Sequence, residues 1–309
     1  MTFEAETWTS PTGADLAVRL MPAQGAPVGA ISLNHGLAEH GLRYQRFAAA
    51  LSRAGFHVVI HDHRGHGFTR SQDSERGVFA YQDGADMALT DAAFVRSEMR
   101  RRFDDAPLIV FGHSMGGLFT ANAAIDEHDA IAGAAIWNTN LTLGPLAGVM
   151  RLVLLVEGAF RRDTEPSDWL AALTFGAWAK RFNETATGSD WLSRIPEEVK
   201  AYAEDPLCGW DASISMWRDF VRLVERAEAR ANLLSIRRDL AWHIAGGGQD
   251  PATNEAKATR AFADRLINDG FTDVSVRIDP EARHETLNDL GADQAMEDFI
   301  VWARTACAS

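Results

Sequence analysis

Ser114 sits in Gly112-His113-Ser114-Met115-Gly116, directly after the apolar run Leu108-Ile109-Val110-Phe111 and before a helix-forming segment that ends near Glu127. Gly-x-Ser-x-Gly between a strand and a helix is the pattern of a nucleophile elbow, a strained turn that lifts a serine hydroxyl into the open. The two glycines leave room for that turn. The N–H of Met115 is then aimed where an oxyanion would develop. A plain β-turn with a buried serine is the alternative, and the flanking strand and helix favour the elbow. A serine needs a base to take its proton and an acid to orient that base. Of ten histidines only His128, His243 and His284 follow Ser114. His128 falls near the end of the helix after the serine and points away from it, and His243 falls inside a strand. His284 lies in the loop Asp279-Pro280-Glu281-Ala282-Arg283-His284-Glu285, just after a strand, and is the expected base. For the acid, Asp250 follows a strand and the run Gly246-Gly247-Gly248, whereas Asp239 would lie at the wrong end of that strand. Asp279 is the main competitor of Asp250.

A second oxyanion donor is expected from the loop His35-Gly36-Leu37-Ala38, which follows the strand Gly29 to Asn34. The N–H of Leu37 is the candidate, with Gly36 allowing close approach. The run His61-Asp62-His63-Arg64-Gly65-His66-Gly67 has metal-type side chains. Its two glycines and its arginine fit a structured loop better, held by Asp62 and Arg64. No metal or cofactor is expected.

These groups need a scaffold that delivers them to one end of a sheet. Strands read at residues 4–9, 15–21, 29–34, 57–60, around 108–113, at 131–137, 241–245 and 274–278. Helices read at 44–54, 84–102, 115–127, 253–268 and 293–306. Strands alternating with helices imply a mostly parallel α/β sheet, with ligands at the carboxyl ends of its strands. The alternation stops from Leu141 to Leu240, which reads as helices alone and holds Trp169, Trp178, Trp191, Trp210 and Trp217, five of the nine tryptophans. The layout expected is a body of residues 1–140 and 241–309 with an inserted helical cap at 141–240.

Composition narrows the partners. A formal net charge of −13 argues against nucleic acid and against electrostatic attachment to anionic membranes. Residues 141–240 carry 13 Lys/Arg against 15 Asp/Glu, out of 30 against 43 overall, so the insertion is nearly neutral and the acidity lies in the flanks. Two distant cysteines, Cys208 and Cys307, imply a reducing, cytoplasmic setting. The first residues lack the apolar core of a signal peptide. The stretch from Leu146 to Val156 is too short to span a bilayer and is broken by Arg151. Nothing in the pattern fixes an oligomeric state.

His35-Gly36-Leu37-Ala38-Glu39-His40 with Arg43-Tyr44, Asp62-x-Arg64-Gly65-His66-Gly67, Gly112-His113-Ser114-Met115-Gly116-Gly117, Asp250 and His284 together resemble the monoacylglycerol lipase and lysophospholipase L2 branch of the α/β-hydrolase superfamily. The resemblance covers about residues 10–140 and 240–305. It implies an α/β-hydrolase fold, a triad of Ser114, Asp250 and His284, oxyanion donors at Leu37 and Met115, and a cap over an acyl pocket. Phe68-Thr69 departs from the relatives, which often carry a serine at the second position; Thr69 keeps the hydroxyl. The cap matches no motif, so the resemblance specifies the reaction better than the substrate.

His35, Gly36 and His113, and Leu146, Met150 and Leu154 of the cap, are expected along the substrate. The segment Gly144 to Val156 reads as a helix apolar on most faces, either packed on the body or lining an acyl tunnel and touching a lipid surface in transient, peripheral contact. The reading that results is a serine esterase acting on a lipid-like ester, a monoacylglycerol or lysophospholipid. A serine peptidase is the main rival and would need free acids near the pocket, for which Glu157, Glu165 and Asp168 are candidates. A general small-ester esterase, a transacylase or a non-catalytic binder on the same fold are further alternatives. A dehalogenase or epoxide hydrolase would need an acid where Ser114 stands.

Overall fold

In the computed structural model, which describes residues 2–104, 106–182 and 187–308, eight strands form one sheet. They are β1 (Glu4–Thr9), β2 (Asp15–Met21), β3 (Gly29–Asn34), β4 (Phe56–His61), β5 (Leu108–His113), β6 (Gly133–Trp137), β7 (Ala241–Gly247) and β8 (Val274–Asp279). The order across the sheet is β1-β2-β4-β3-β5-β6-β7-β8. β1 and β2 pair antiparallel, as do β2 and β4, and every later pairing is parallel. The order steps back at β4 and then runs outward from β3, so β5 lies at the centre with its carboxyl end beside those of β3 and β6.

Central strands here must satisfy two cores, which is why they read as unbroken apolar runs. Along β5, Leu108 and Val110 face one core, and Ile109 and Phe111 face the other. The first core is closed by α2 (Gly84–Arg102), α3 (Met115–Glu127) and α10 (Lys257–Asn268). The second is closed by α1 (Gln45–Arg53) and α11 (Ala292–Ala308). Phe47, Phe111, Trp137 and Phe299 form its aromatic centre, with ring centroids 5.1–6.3 Å apart. Truncating one such ring to alanine typically costs about 3–5 kcal/mol.

Between β6 and β7 the described chain forms only helices: α4 (Pro145–Gly158), α5 (Asp168–Leu173), α6 (Phe175–Ala179), α7 (Pro196–Glu204), α8 (Ile214–Glu228) and α9 (Arg230–Ser235). α8 anchors this segment. Ile214, Trp217, Val221 and Val224 recur at helical spacing and are buried, and the Ser213 hydroxyl accepts the Met216 N–H at its start. Such a cap contributes about 1 kcal/mol. α4 begins with Pro145, whose missing N–H costs nothing in a first turn.

Two helices start later than their apolar spacing suggests. The first is preceded by a 3-10 turn at Gly41–Tyr44. α10 begins at Lys257 because Asn254, Glu255 and Ala256 are left-handed, with φ of 53°, 54° and 61°. Their N–H groups are drawn into the turn at Asp250: Glu255 N–H goes to the Asp250 carbonyl at 2.8 Å and Ala256 N–H to the Thr253 hydroxyl at 3.3 Å.

Candidate active site

Ser114 caps β5 at φ 53° and ψ −120°, a region costly for a residue with a Cβ. The surroundings hold it there: its N–H reaches the Trp137 carbonyl at 2.9 Å, and Thr139 Oγ1 donates to its carbonyl at 2.8 Å. A Cβ on Gly112 would overlap the Gly116 carbonyl, and one on Gly116 would overlap that of Asn34. The elbow therefore requires both glycines.

His284 Nε2 lies 2.9 Å from Ser114 Oγ, and its Nδ1 lies 2.9 Å from Asp250 Oδ1. A carboxylate only accepts, so Nδ1 carries the proton and Nε2 is the free base facing the hydroxyl. Asp250 reaches His284 because the β7 and β8 loops touch. A Cβ on Gly247 or Gly248 would collide with the backbone of Pro280, Ala282 and Arg283. The Asp250 carboxylate is fully buried and also accepts from Ala252 N–H, Thr253 Oγ1 and Asn138 Nδ2 at 2.9–3.2 Å. Burial pushes its pKa up, but His284 and these donors bring it below the ordinary aspartate value. Asp279 pairs with Arg277 instead, and Asp239 is exposed beside Arg237. His243 accepts the Trp137 indole N–H in the core, and His128 lies in a 3-10 turn beside Asp129.

Met115 opens α3, so its N–H has no acceptor one turn back. Leu37 N–H has no acceptor among the described residues, and Gly36 packs so close that a Cβ there would lie 3.3 Å from that of Ser114. Gly36 N–H donates to Glu39 Oε1 at 2.5 Å. Glu39 also accepts from Tyr44 Oη and Arg43 Nη1, both at 2.7 Å. His113 lies between two acceptors, Glu39 Oε1 at 3.4 Å and the His284 carbonyl at 3.0 Å. Burial opposes charge on its ring, but Glu39, Glu285 and the His284 carbonyl together outweigh it and raise the pKa of His113; Glu39 in turn is held well below the usual carboxylate range. An imidazolium can donate to both acceptors, joining the loop of Glu39 to that of His284.

A cavity of about 270 Å³ opens over Ser114 and His284. Gly36, His113, Leu146 and Met150 line it, as expected for substrate contacts. His35 and Leu154 do not. The His35 ring is buried beneath the loop, bonded to the Gly36 carbonyl and the His63 N–H, and supports the backbone instead. Leu154, a turn further along α4 than Met150, is sealed in the core. Trp178 and Trp191, two of the insertion's five tryptophans, line the cavity, and so do Asn138 and Tyr202, which had not stood out in the sequence. Asn138 carried one usable signal, its place at the carboxyl end of β6.

The other expected groups have structural partners. Asp62 accepts the N–H groups of Gly41 and Phe68, and Arg64 is fully buried against Asp91 and Asp73. Thr69 donates to the Asp62 carbonyl and accepts the Ala17 N–H. Among the described residues only His40, Asp205 and Cys208 bring three metal-type donor atoms within 4.8 Å of one another. Glu157 is buried against Ser167 and Trp169, and Glu165 and Asp168 pair with Arg161. None of these three acids lines the cavity; its two described carboxylates, Glu39 and Glu285, both bind Arg43.

Residues 25–291 match the family Hydrolase_4, described as serine aminopeptidase, S33. The chain belongs to this family. It has the α/β-hydrolase fold and is similar to monoacylglycerol lipases. This Hydrolase_4 protein is 26% identical over 287 residues to a monoacylglycerol lipase of Mycolicibacterium smegmatis, covering 89% of this chain and 88% of that one. It is 25% identical over 224 residues to the monoglyceride lipase of Rattus norvegicus, covering 70% of this chain and 64% of the rat protein. A thermostable carboxyl esterase from Bacillus coagulans, solved with glycerol, superposes with a TM-score of 0.89 at 23% identity over 99% of both chains.

Proposed function

We propose that this protein is a cofactor-free serine hydrolase of carboxylic esters with a lipid-like acyl chain, a monoacylglycerol lipase or lysophospholipase. The observation that carries the reading is the relay from Ser114 through His284 to the buried Asp250, opening on a cavity lined by Leu143, Leu146, Met150, Leu173, Phe175 and Trp217. The names of the relatives support the ester substrate.

In this reading Ser114 Oγ attacks the acyl carbon as His284 Nε2 takes its proton, and Asp250 stabilises the resulting imidazolium. Leu37 N–H and Met115 N–H bind the oxyanion. His284 then protonates the departing alcohol, leaving an acyl group on Ser114. Water, deprotonated by the same nitrogen, releases the acid and restores the serine. The peptidase reading is disfavoured because both described carboxylates at the cavity are already engaged by the Arg43 guanidinium that they share, so neither is free for a substrate ammonium.

Residues 141–240 act as a cap on the body formed by 1–140 and 241–309. One face of α4 is unburied: Leu146, Val149, Leu152 and Leu155 are 51–68% exposed. Leu146 belongs both to this face and to the cavity lining, so the apolar surface is continuous with the pocket. We assign it to transient contact with micelles or bilayers of the substrate. No helix among the described residues is long and apolar enough to cross a membrane.

The test is fatty acid release from a monoacylglycerol and a lysophosphatidylcholine of matched chain, with Ser114→Ala alongside. The expected outcome is release from the monoacylglycerol, abolished by the substitution. Faster release from the lysophospholipid would move the substrate to that class. No release from either would overturn the lipid reading.

A further inference from the structure

The insertion does more than cover the pocket: it also holds the backbone of the loop beneath it. Ala38, immediately after Leu37, is a non-glycine residue at φ 55°. A left-handed alanine costs roughly 1–2 kcal/mol and persists only where its surroundings hold it. Its carbonyl, buried with the rest of the residue, accepts two hydrogen bonds, both from the insertion: Gly209 N–H at 3.0 Å and Tyr202 Oη at 3.2 Å. Two residues on, His40 Nε2 meets Asp205 Oδ2 at 2.8 Å. The Arg43 guanidinium lies over the Tyr202 ring, 4.9 Å from its centroid. On the other side of Leu37, Gly36 N–H is held by Glu39. The peptide carrying the Leu37 N–H is thus fixed on one side from the body and on the other from the insertion.

We propose that Tyr202 and Gly209 are positioning residues for the oxyanion hole, holding the Ala38 carbonyl so that the Leu37 N–H points at the reacting carbonyl oxygen. This rests on the assignment of Leu37 as an oxyanion donor. Without the Tyr202 hydroxyl, one bond is left to hold the strained peptide, and the Leu37 N–H loses its fixed direction. The neighbouring donor trio of His40, Asp205 and Cys208 fits the same role better than a metal site. His40 Nε2 is already taken by Asp205, and burial raises the Cys208 pKa, disfavouring the thiolate a metal would need. The segment just before α7 holds the opposite loop in the same way: Glu285 N–H donates to the Leu192 carbonyl at 2.7 Å, and Arg283 Nη1 to that of Ser193 at 3.0 Å.

The experiment compares wild type, Tyr202→Phe and Ser114→Ala on a soluble short-chain ester. It also measures affinity for a trifluoromethyl ketone, which forms a tetrahedral oxyanion on the serine, and for a non-hydrolysable ether analogue, which does not. Tyr202→Phe keeps the ring under Arg43 and removes only the hydroxyl. Direct loss of an oxyanion donor costs about 10²–10³ in kcat, so its misdirection should cost roughly tenfold. The expected result is that loss in kcat with KM unchanged, an equal loss of ketone affinity and unchanged binding of the ether. A purely structural tyrosine would leave the ketone-to-ether ratio alone, and that result overturns the proposal. So does wild-type kcat in Tyr202→Phe while Ser114→Ala is inactive. Turnover surviving in Ser114→Ala would instead remove the serine mechanism on which the proposal stands.

Discussion

Lowering the pH from 7 to 5 should destabilise the fold by several kcal/mol through imidazoles that never meet the substrate. His35, His61, His63 and His66 lie together beneath the loop of Leu37, with the His35 centroid 4.5 Å from that of His63 and 5.1 Å from that of His66. All four are buried, and burial lowers their pKa values: to about 4 for His35, about 3 for His61 and His66, and well below the ordinary value for His63. The rings also repel one another's charge. Arg96 adds to this at His61 and His63, while Glu39 and Asp62 oppose it at His66. The folded pKa lies below the unfolded one, so these groups give full stability above about pH 6.5 and lose it as the pH falls toward the folded values. At pH 5 the unfolded imidazole is almost fully protonated and the folded one is not. That difference is worth about 2 kcal/mol per ring, against a few tenths at pH 7. It hardly depends on whether the folded value is 3 or 4, since both lie below 5.

His35, His61 and His66 together therefore remove about 5 kcal/mol between pH 7 and 5, and His63 adds in the same direction. Asp219 works the other way: burial raises its carboxyl to about 6, and its protonation returns about 1 kcal/mol over the same interval. The net loss is a large part of the 5–15 kcal/mol that holds a typical domain together. Urea titrations followed by tryptophan fluorescence at the two pH values, at constant ionic strength, measure it directly. His61→Leu is the diagnostic variant, because neither ring nitrogen of His61 has a partner among the described residues and an apolar replacement strands no polar group. It should reduce the pH-dependent loss by about 2 kcal/mol. Equal urea midpoints at pH 7 and 5, or a His61→Leu protein with the full wild-type loss, would refute the reasoning.

Asp250→Asn should lower kcat by about 10⁴ while leaving the fold intact, because the amide no longer holds His284 in the tautomer with a free Nε2; steady-state kinetics with a circular dichroism control measures this. The double substitution Leu152→Asp, Leu155→Asp, on side chains 61% and 68% exposed, should cut turnover of micellar substrate severalfold and leave a soluble short-chain ester untouched. Equal loss on both substrates would show that the α4 face serves the fold instead of a lipid surface.

What could be read from the sequence was set by local backbone chemistry. Gly112 and Gly116 flank Ser114 because the elbow admits no Cβ, and Gly247 and Gly248 precede Asp250 because two loops must touch there. Each such group is announced by its own neighbours, a strand behind it and a glycine beside it. His35 has the same local signature and yet turns inward, because its ring is needed by the His63 N–H and the Gly36 carbonyl, partners that only the folded chain supplies. Leu154 continues the helical stripe of Leu146 and Met150, but the cavity ends before that turn of α4 reaches it. Tyr202 illustrates the opposite failure. Nothing within several residues of it marks it, since its partner is the Ala38 carbonyl, 164 positions earlier. Local rules thus announce the side chains proposed to react. Some of the groups that hold the backbone around them, Tyr202 and Gly209, come from an insertion whose sequence carries no motif, so their contacts are visible only once its helices are folded against the loops they meet.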